Sequence, residues 1–160
     1  MSTIIECVPN FSEGRDPAII QSITNEIESV SGVRLLNVDP GKATNRTVVT
    51  FVGEPSAVTE AAFLAIQKAG ELIDMRKHKG EHPRMGATDV CPLIPVAGIS
   101  MGETANLAIR LAERVGRELS LPVYLDEAAQ KDKCRSNLSG RRAGEYEGLV
   151  GKITSPEWKR

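Results

Sequence analysis

Cysteine is scarce and badly placed for cross-linking. Cys7, Cys91 and Cys134 are odd in number, far apart and without a CxxC pair, which argues against a disulfide framework and against a thiolate metal site. Reduced thiols and a soluble, cytoplasmic protein are the expectation. No segment approaches the roughly 20 apolar residues that a bilayer span needs, and the opening MSTIIECVPN has no basic region leading into a long apolar run. An excess of one charge is missing too. The 20 Lys and Arg against 21 Asp and Glu leave a net charge of -1, which argues against a general nucleic-acid or membrane-surface binder. The GxGxxG and P-loop signatures are absent, so a nucleotide has no motif here. There is no tandem repeat and no low-complexity linker.

What remains is a chain of 160 residues, 41% hydrophobic, able to bury a core as one domain or as two closely packed halves. Residues 3–8 read as a buried strand that stops at Pro9-Asn10. Ile19, Ile20, Ile23 and Ile27 follow helical spacing after Asp16-Pro17, a cap and first turn, with an end near Ser31-Gly32. Residues 33–38 and 46–52 are rich in β-formers and flank the turn-dense DPGKATN, so a hairpin is expected. From Pro55 to about Met75 an apolar stripe of Val58, Ala61, Ala62, Ala65, Ile66, Ala69, Leu72 and Ile73 predicts a long helix. VCPLIPV at 90–96 is apolar, but its two prolines confine it to an edge or distorted strand. Leu107, Leu111, Val115 and Leu119 predict a third helix over 102–119, and LPVYL at 121–125 a last strand. The order β-α-β-β-α-β-α-β points to an α+β sandwich of ferredoxin-like style, a mainly antiparallel mixed sheet with helices on one face.

The most informative stretch is DMRKHKGEHPRMGATDVCP at 74–92, which holds both histidines, His78 and His82, among Arg76, Lys77, Lys79 and Arg84. A spacing of four would put the two rings on one face of a helix and imitate half a metal site. Gly80 and Pro83 oppose such a helix, and no third ligand is obvious. Proton transfer fits better, since an imidazole works as acid or base near neutral pH and Pro83 holds His82 on a loop. Asp39 is a candidate carboxylate partner. Arg76, Lys79 and Arg84 are candidate carboxylate contacts, with a solvated charged loop as the alternative. Asn10, Ser12 and Gly14 after one strand, and Thr44 and Asn45 before another, offer polar contacts at strand ends. The basic run from Lys131 to Arg142 would engage a polyanionic tail or lie exposed. Phe11, Met85 and Trp158 read as space-fillers.

The segments ECVPNFSEG (6–14), TNRTVVTFVG (44–53), LIDMRKHKGEHPRMGATDVCPLIPV (72–96) and RAGEYE (142–147) closely resemble glutamate formimidoyltransferase. That family includes the transferase part of formimidoyltransferase-cyclodeaminase, and the resemblance runs from the first strand to Trp158. It implies transfer of the formimino group from N-formimidoyl-L-glutamate to N5 of tetrahydrofolate, the co-substrate, with no metal, in histidine breakdown. It implies His82 as the catalytic acid and base; Asn10, Asp39, Thr44, Asn45, Lys79 and Arg84, read from their own chemistry above, are the expected substrate or folate contacts. It also implies two related α/β subdomains enclosing the folate. Residues 1–160 match the N-terminal one alone, so the C-terminal subdomain is expected to be absent, or supplied by a homodimer or another chain. VYLDEAA at 123–129 departs from the family pattern by one residue at the start of a folate-facing loop. The alternative is a non-catalytic half-domain that binds folate weakly or pairs with another chain.

Overall fold

The computed structural model describes residues 2–131, 139 and 142–156. The elements run β1 (Ile4–Cys7), β2 (Asn10–Phe11), α1 (Pro17–Glu28), β3 (Val33–Gly41), β4 (Arg46–Gly53), α2 (Pro55–Leu72), β5 (Thr88–Val90), β6 (Leu93–Ala97), α3 (Met101–Leu119), a 3-10 turn (Glu127–Ala129) and α4 (Leu149–Thr154).

Prolines split two of the strands. Pro9 separates β1 from β2 and Pro92 separates β5 from β6, because a proline has no N–H for the ladder. The two breaks lie side by side: Val8 N donates to the Pro92 carbonyl at 3.3 Å. Joined across their breaks, the strands form an antiparallel sheet in the order β3, β4, β1/β2, β6/β5. That order, with a helix after the first and third strands, is the ferredoxin-like arrangement. The mainly antiparallel sheet with helices on one face, expected from sequence, is what the structure has. Each crossover helix skips one strand, so every recorded ladder is antiparallel.

Alternation assigns the two faces. Ile5, Cys7, Val49 and Phe51 point into the core and are buried, where they meet Ile23 and Ile27 of α1 and a close-packed row from α2, Val58, Ala61, Ala62, Ala65 and Ala69. The alanines let α2 lie near the strands. Truncating a core aromatic such as Phe51 typically costs about 3–5 kcal/mol. Asp16 caps α1 by accepting from Ala18 N at 2.9 Å and Ile19 N at 3.4 Å, with Pro17 in the first turn. Ser100 and Glu103 form a capping box at the start of α3, which buries Leu111 and Val115.

Three boundaries differ from expectation. The hairpin ladder absorbs Asp39, Pro40 and Gly41, leaving only residues 42–45 as its turn; Pro40 is tolerated because β3 is an edge strand. Helix α2 stops at Leu72, and Asp74 and Arg76 form a turn beyond it. The strand expected at 121–125 is absent. Pro122 lacks a donor, and Val123 packs on the rim of the core instead of joining a sheet edge. Cys134, Trp158 and most of the basic run 131–142 lie outside the described residues. Among the described residues, no helix is long and apolar enough to cross a membrane.

Candidate active site

The sheet face turned away from the helices carries a polar row. Register pairs Asp39 with Val48, Val48 with Asn10 and Asn10 with Val90, one residue from each strand. These four, with Gly41, Thr44, Arg46, His82 and Arg142, line a depression of about 450 Å³. A larger apolar cleft of about 800 Å³ lies on the helix side, against α2 and α3, and neither histidine lines it.

The His-rich segment is fastened to the sheet by backbone bonds. Asn45 Nδ2 donates to the Lys79 carbonyl at 3.0 Å, Glu81 N to the Ala43 carbonyl at 3.3 Å, and Ser12 N to the Ala87 carbonyl at 2.8 Å. Gly80 is required by close approach, since a Cβ there would sit 2.2 Å from the Thr44 carbonyl oxygen. The two histidines are thereby separated in role. His78 is buried, and its Nε2 faces the Asn45 carbonyl oxygen at 2.8 Å. His82 is partly exposed at the rim of the depression, with Nδ1 2.8 Å from the carbonyl oxygen of Pro83.

Asp39 lines the same depression, yet among the described contacts none joins it to His82. The expected carboxylate–imidazole pair is corrected: the neighbour of the ring is a cation. Arg46 Nη1 lies against His82 Nδ1 and 3.1 Å from Nε2, while its Nη2 donates to Asn10 Oδ1 at 2.9 Å. The guanidinium is buried and is neutralised by Asp89, whose side chain is fully buried, at 3.2 Å. Arg142 pairs with the same Asp89 oxygen, and Asp89 Oδ1 accepts from Met85 N at 2.8 Å. Two guanidinium groups share one carboxylate, so the cluster is net positive. Desolvation lowers the pKa of Arg46, Asp89 opposes that shift and Arg142 adds to it. An arginine remains charged throughout.

The other candidates divide between lining and scaffold. Asn10 and Thr44 line the depression; Thr44 Oγ1 also donates to the Gly41 carbonyl at 3.2 Å. Asn45 does not line it. It is buried at φ 50°, and its Oδ1 accepts from Gly14 N at 2.9 Å, so it ties the loop after β2 to the His-rich segment. Ser12 is buried, with Oγ donating to the Gly86 carbonyl at 2.7 Å. Lys79 contributes its carbonyl, and its exposed side chain is outside the lining. Arg84 is held by Glu145 and Glu147, and Arg76 by Asp74, so neither guanidinium faces the depression. Among the described residues no group of three or more His, Cys, Asp or Glu is placed to hold a metal.

Sequence reasoning gave Arg46 and Asp89 no role and placed Arg142 in a basic run and in the RAGEYE segment without one. A signal existed. Arg46 and Asp89 are single charges opening short β-rich runs, and a charge taken into a sheet needs an opposite partner. Behind the site, Cys7 and Cys91 bring their Sγ atoms to 3.6 Å. Burial, then the Cys91 hydrogen bond, push the Cys7 thiol well above its usual range.

Residues 4–160 match the formiminotransferase domain, N-terminal subdomain. The chain is 52% identical over 158 residues to formimidoyltransferase-cyclodeaminase of Rattus norvegicus, covering 99% of this chain and 29% of that protein. It is 43% identical to glutamate formimidoyltransferase of Streptococcus pyogenes serotype M1, covering 99% of this chain and 53% of that protein. Against the Thermoplasma acidophilum glutamate formimidoyltransferase the identity is 44%, with 98% and 52% covered. The chain thus spans about half, or less than a third, of the relatives it matches, and it belongs to the family of formiminotransferase-domain N-terminal subdomains.

Proposed function

We propose that this chain supplies the His82-bearing wall of a formimidoyltransferase site, which moves the formimino group from N-formimidoyl-L-glutamate to N5 of tetrahydrofolate. The observation that carries this reading is His82 at the rim of a polar depression on the helix-free sheet face, beside Asn10, Asp39 and Thr44. In the reaction N5 attacks the formimino carbon, a C–N bond forms and the C=N electron pair moves onto the terminal nitrogen. His82 takes the proton from N5 and gives it to the glutamate nitrogen as that C–N bond breaks and the C=N bond reforms. Glutamate leaves with the proton and tetrahydrofolate keeps the formimino group.

One wall does not exclude water. Leu36 at 51%, Ile94 at 38% and Val96 at 56% remain exposed, and Ile94 shares with Glu6 and Val52 the row on the helix-free face. This apolar extension of the site's face suits cover by a second α/β layer, whether a C-terminal subdomain or another copy. It equally suits the second reading, a half-domain without turnover of its own. The decisive assay is folate-dependent transfer by the chain alone and by a protein with both subdomains, each with His82 and with His82→Ala. Loss of turnover in the two-subdomain variant is expected, and near-normal turnover there would overturn the reading. Sedimentation of the lone chain separates a dimer with two walls from an inactive monomer. The reading also places the protein in the cytoplasm, which cell fractionation tests.

A further inference from the structure

Two thiols that stand 84 residues apart in the chain meet on the helix side of the sheet's central break. Pairing of β1 with β6 sets Cys7 opposite Leu93, and Cys91 lies two residues before Leu93, on the other side of Pro92. The bond from Val8 N to the Pro92 carbonyl holds the two segments together there. Cys7 belongs to the apolar core and Cys91 packs against it, with the Sγ atoms 3.6 Å apart. Proton transfer by His82 uses neither thiol.

The two sulfurs differ in access. Cys7 is fully buried, whereas Cys91 is partly exposed and lines the apolar cleft of about 800 Å³, which Cys7 does not. A small neutral oxidant that enters the cleft meets Cys91 first. We propose that Cys7 and Cys91 form an oxidation-responsive dithiol that a peroxide converts to a disulfide, Cys91 being the sulfur that the peroxide oxidises and Cys7 the one that resolves it. The inference is independent of the reading of His82.

The thiolate is the nucleophile in such chemistry. Cys91 Sγ attacks one peroxide oxygen, an S–O bond forms and the O–O bond breaks. The hydroxide that leaves takes up the proton Cys91 had given, and Cys91 becomes a sulfenic acid. Cys7 Sγ then attacks Cys91 Sγ: the S–S bond forms, the S–O bond breaks, and the departing hydroxide takes the Cys7 proton as water. Two thiols and one hydrogen peroxide become one disulfide and two waters, so the sulfurs give up two electrons and the peroxide gains them.

Burial, then the bond to Cys91, keeps Cys7 protonated and away from dissolved reagents, so the first step is closed to it. The second step is open because its electrophile is already in contact. A disulfide is about 2.0 Å long, so sulfurs 3.6 Å apart need to close by about 1.5 Å. A partner held at that range acts at an effective concentration far above that of any dissolved thiol. The product is a reversible covalent tie between β1 and the β5–β6 junction, where Pro9 and Pro92 interrupt the ladder.

Peptide mapping of the whole chain tests this. The chain has three cysteines, so the peptides that stay joined identify the bond. The folded chain is exposed to hydrogen peroxide, and its remaining thiols are alkylated in denaturant without reductant. The Cys7 and Cys91 peptides should be linked, together two hydrogens lighter, and dithiothreitol should separate them. Sulfinic acid on Cys91 beside an unreacted Cys7, or a bond from Cys91 to Cys134, would overturn the proposal. Two variants test the division of roles. In Cys7→Ser the sulfenic acid finds no partner, and dimedone should trap it on Cys91; absence of that adduct would refute the assignment. In Cys91→Ser, Cys7 should be oxidised at least tenfold less than in the parent at the same exposure, and oxidation at the parent rate would refute it too. Should a serine variant fail to fold, the map of the unsubstituted chain still decides whether the bond forms.

Discussion

His78 Nε2 lies 2.8 Å from the backbone carbonyl oxygen of Asn45, and this bond makes the first histidine of the segment part of the scaffold. Nδ1 of the same ring is buried with no hydrogen-bond partner. His78→Ala would leave a cavity and an unpaired carbonyl, so a loss of about 2–3 kcal/mol is expected. Urea denaturation measures it. Any loss of turnover should track the unfolded fraction and return on cooling or with a stabilising ligand. Loss of turnover without loss of stability would show a chemical role instead.

Asn45 occupies the left-handed region at φ 50° and makes two side-chain hydrogen bonds, to Gly14 N and to the Lys79 carbonyl. Asn45→Ala should cost about 2–4 kcal/mol for the unmatched buried groups, and about 1 kcal/mol more for a left-handed alanine. Asn45→Gly loses the same bonds without that strain. The glycine variant is therefore expected to melt higher than the alanine variant, and the reverse order would refute the conformational argument.

Glu147 holds Arg84, which lowers its pKa from an ordinary value of 4.5. A depressed carboxylate contributes stability that is fully present above its unfolded value and lost as pH falls through its lower folded value. The side chain is well exposed, so the effect is small and weakens with salt. Melting curves of the wild type and Glu147→Gln should differ at pH 7 and converge in acid, below the ordinary value of 4.5. A difference that persists in strong acid would rule out the Arg84 pairing as its cause.

Cys7 should resist alkylation. The thiolate is the reactive form, and burial together with the Cys91 hydrogen bond raises the Cys7 thiol. Iodoacetamide at neutral pH is expected to label Cys7 only as the chain unfolds, which peptide mass spectrometry follows. Labelling at the rate of a free cysteine in native buffer would contradict the buried sheet position.

Much of the fold is legible in the residues because local chemistry determines it. The isoleucines of α1, the alanine-rich stripe of α2 and the leucines of α3 carry helical period in their own spacing, and Pro9, Pro40 and Pro92 mark where a ladder must break or lie at an edge. The segment Leu121–Leu125 misled, because β-formers alone cannot report whether a sheet edge is there to receive them.

The same division runs through the site. By itself the sequence determined that both histidines sit in one charged, glycine-broken segment, and its resemblance singled out His82. Only the tertiary structure decided that Arg46 and not Asp39 borders the ring, that Asp89 makes Arg46 tolerable inside a sheet, and that Arg84 is already matched by Glu145 and Glu147. Those relationships join residues 36 to 63 positions apart. Spacing along a chain encodes periodicity and breaks, but which charges meet depends on strand register and on the crossovers that bring distant strands together.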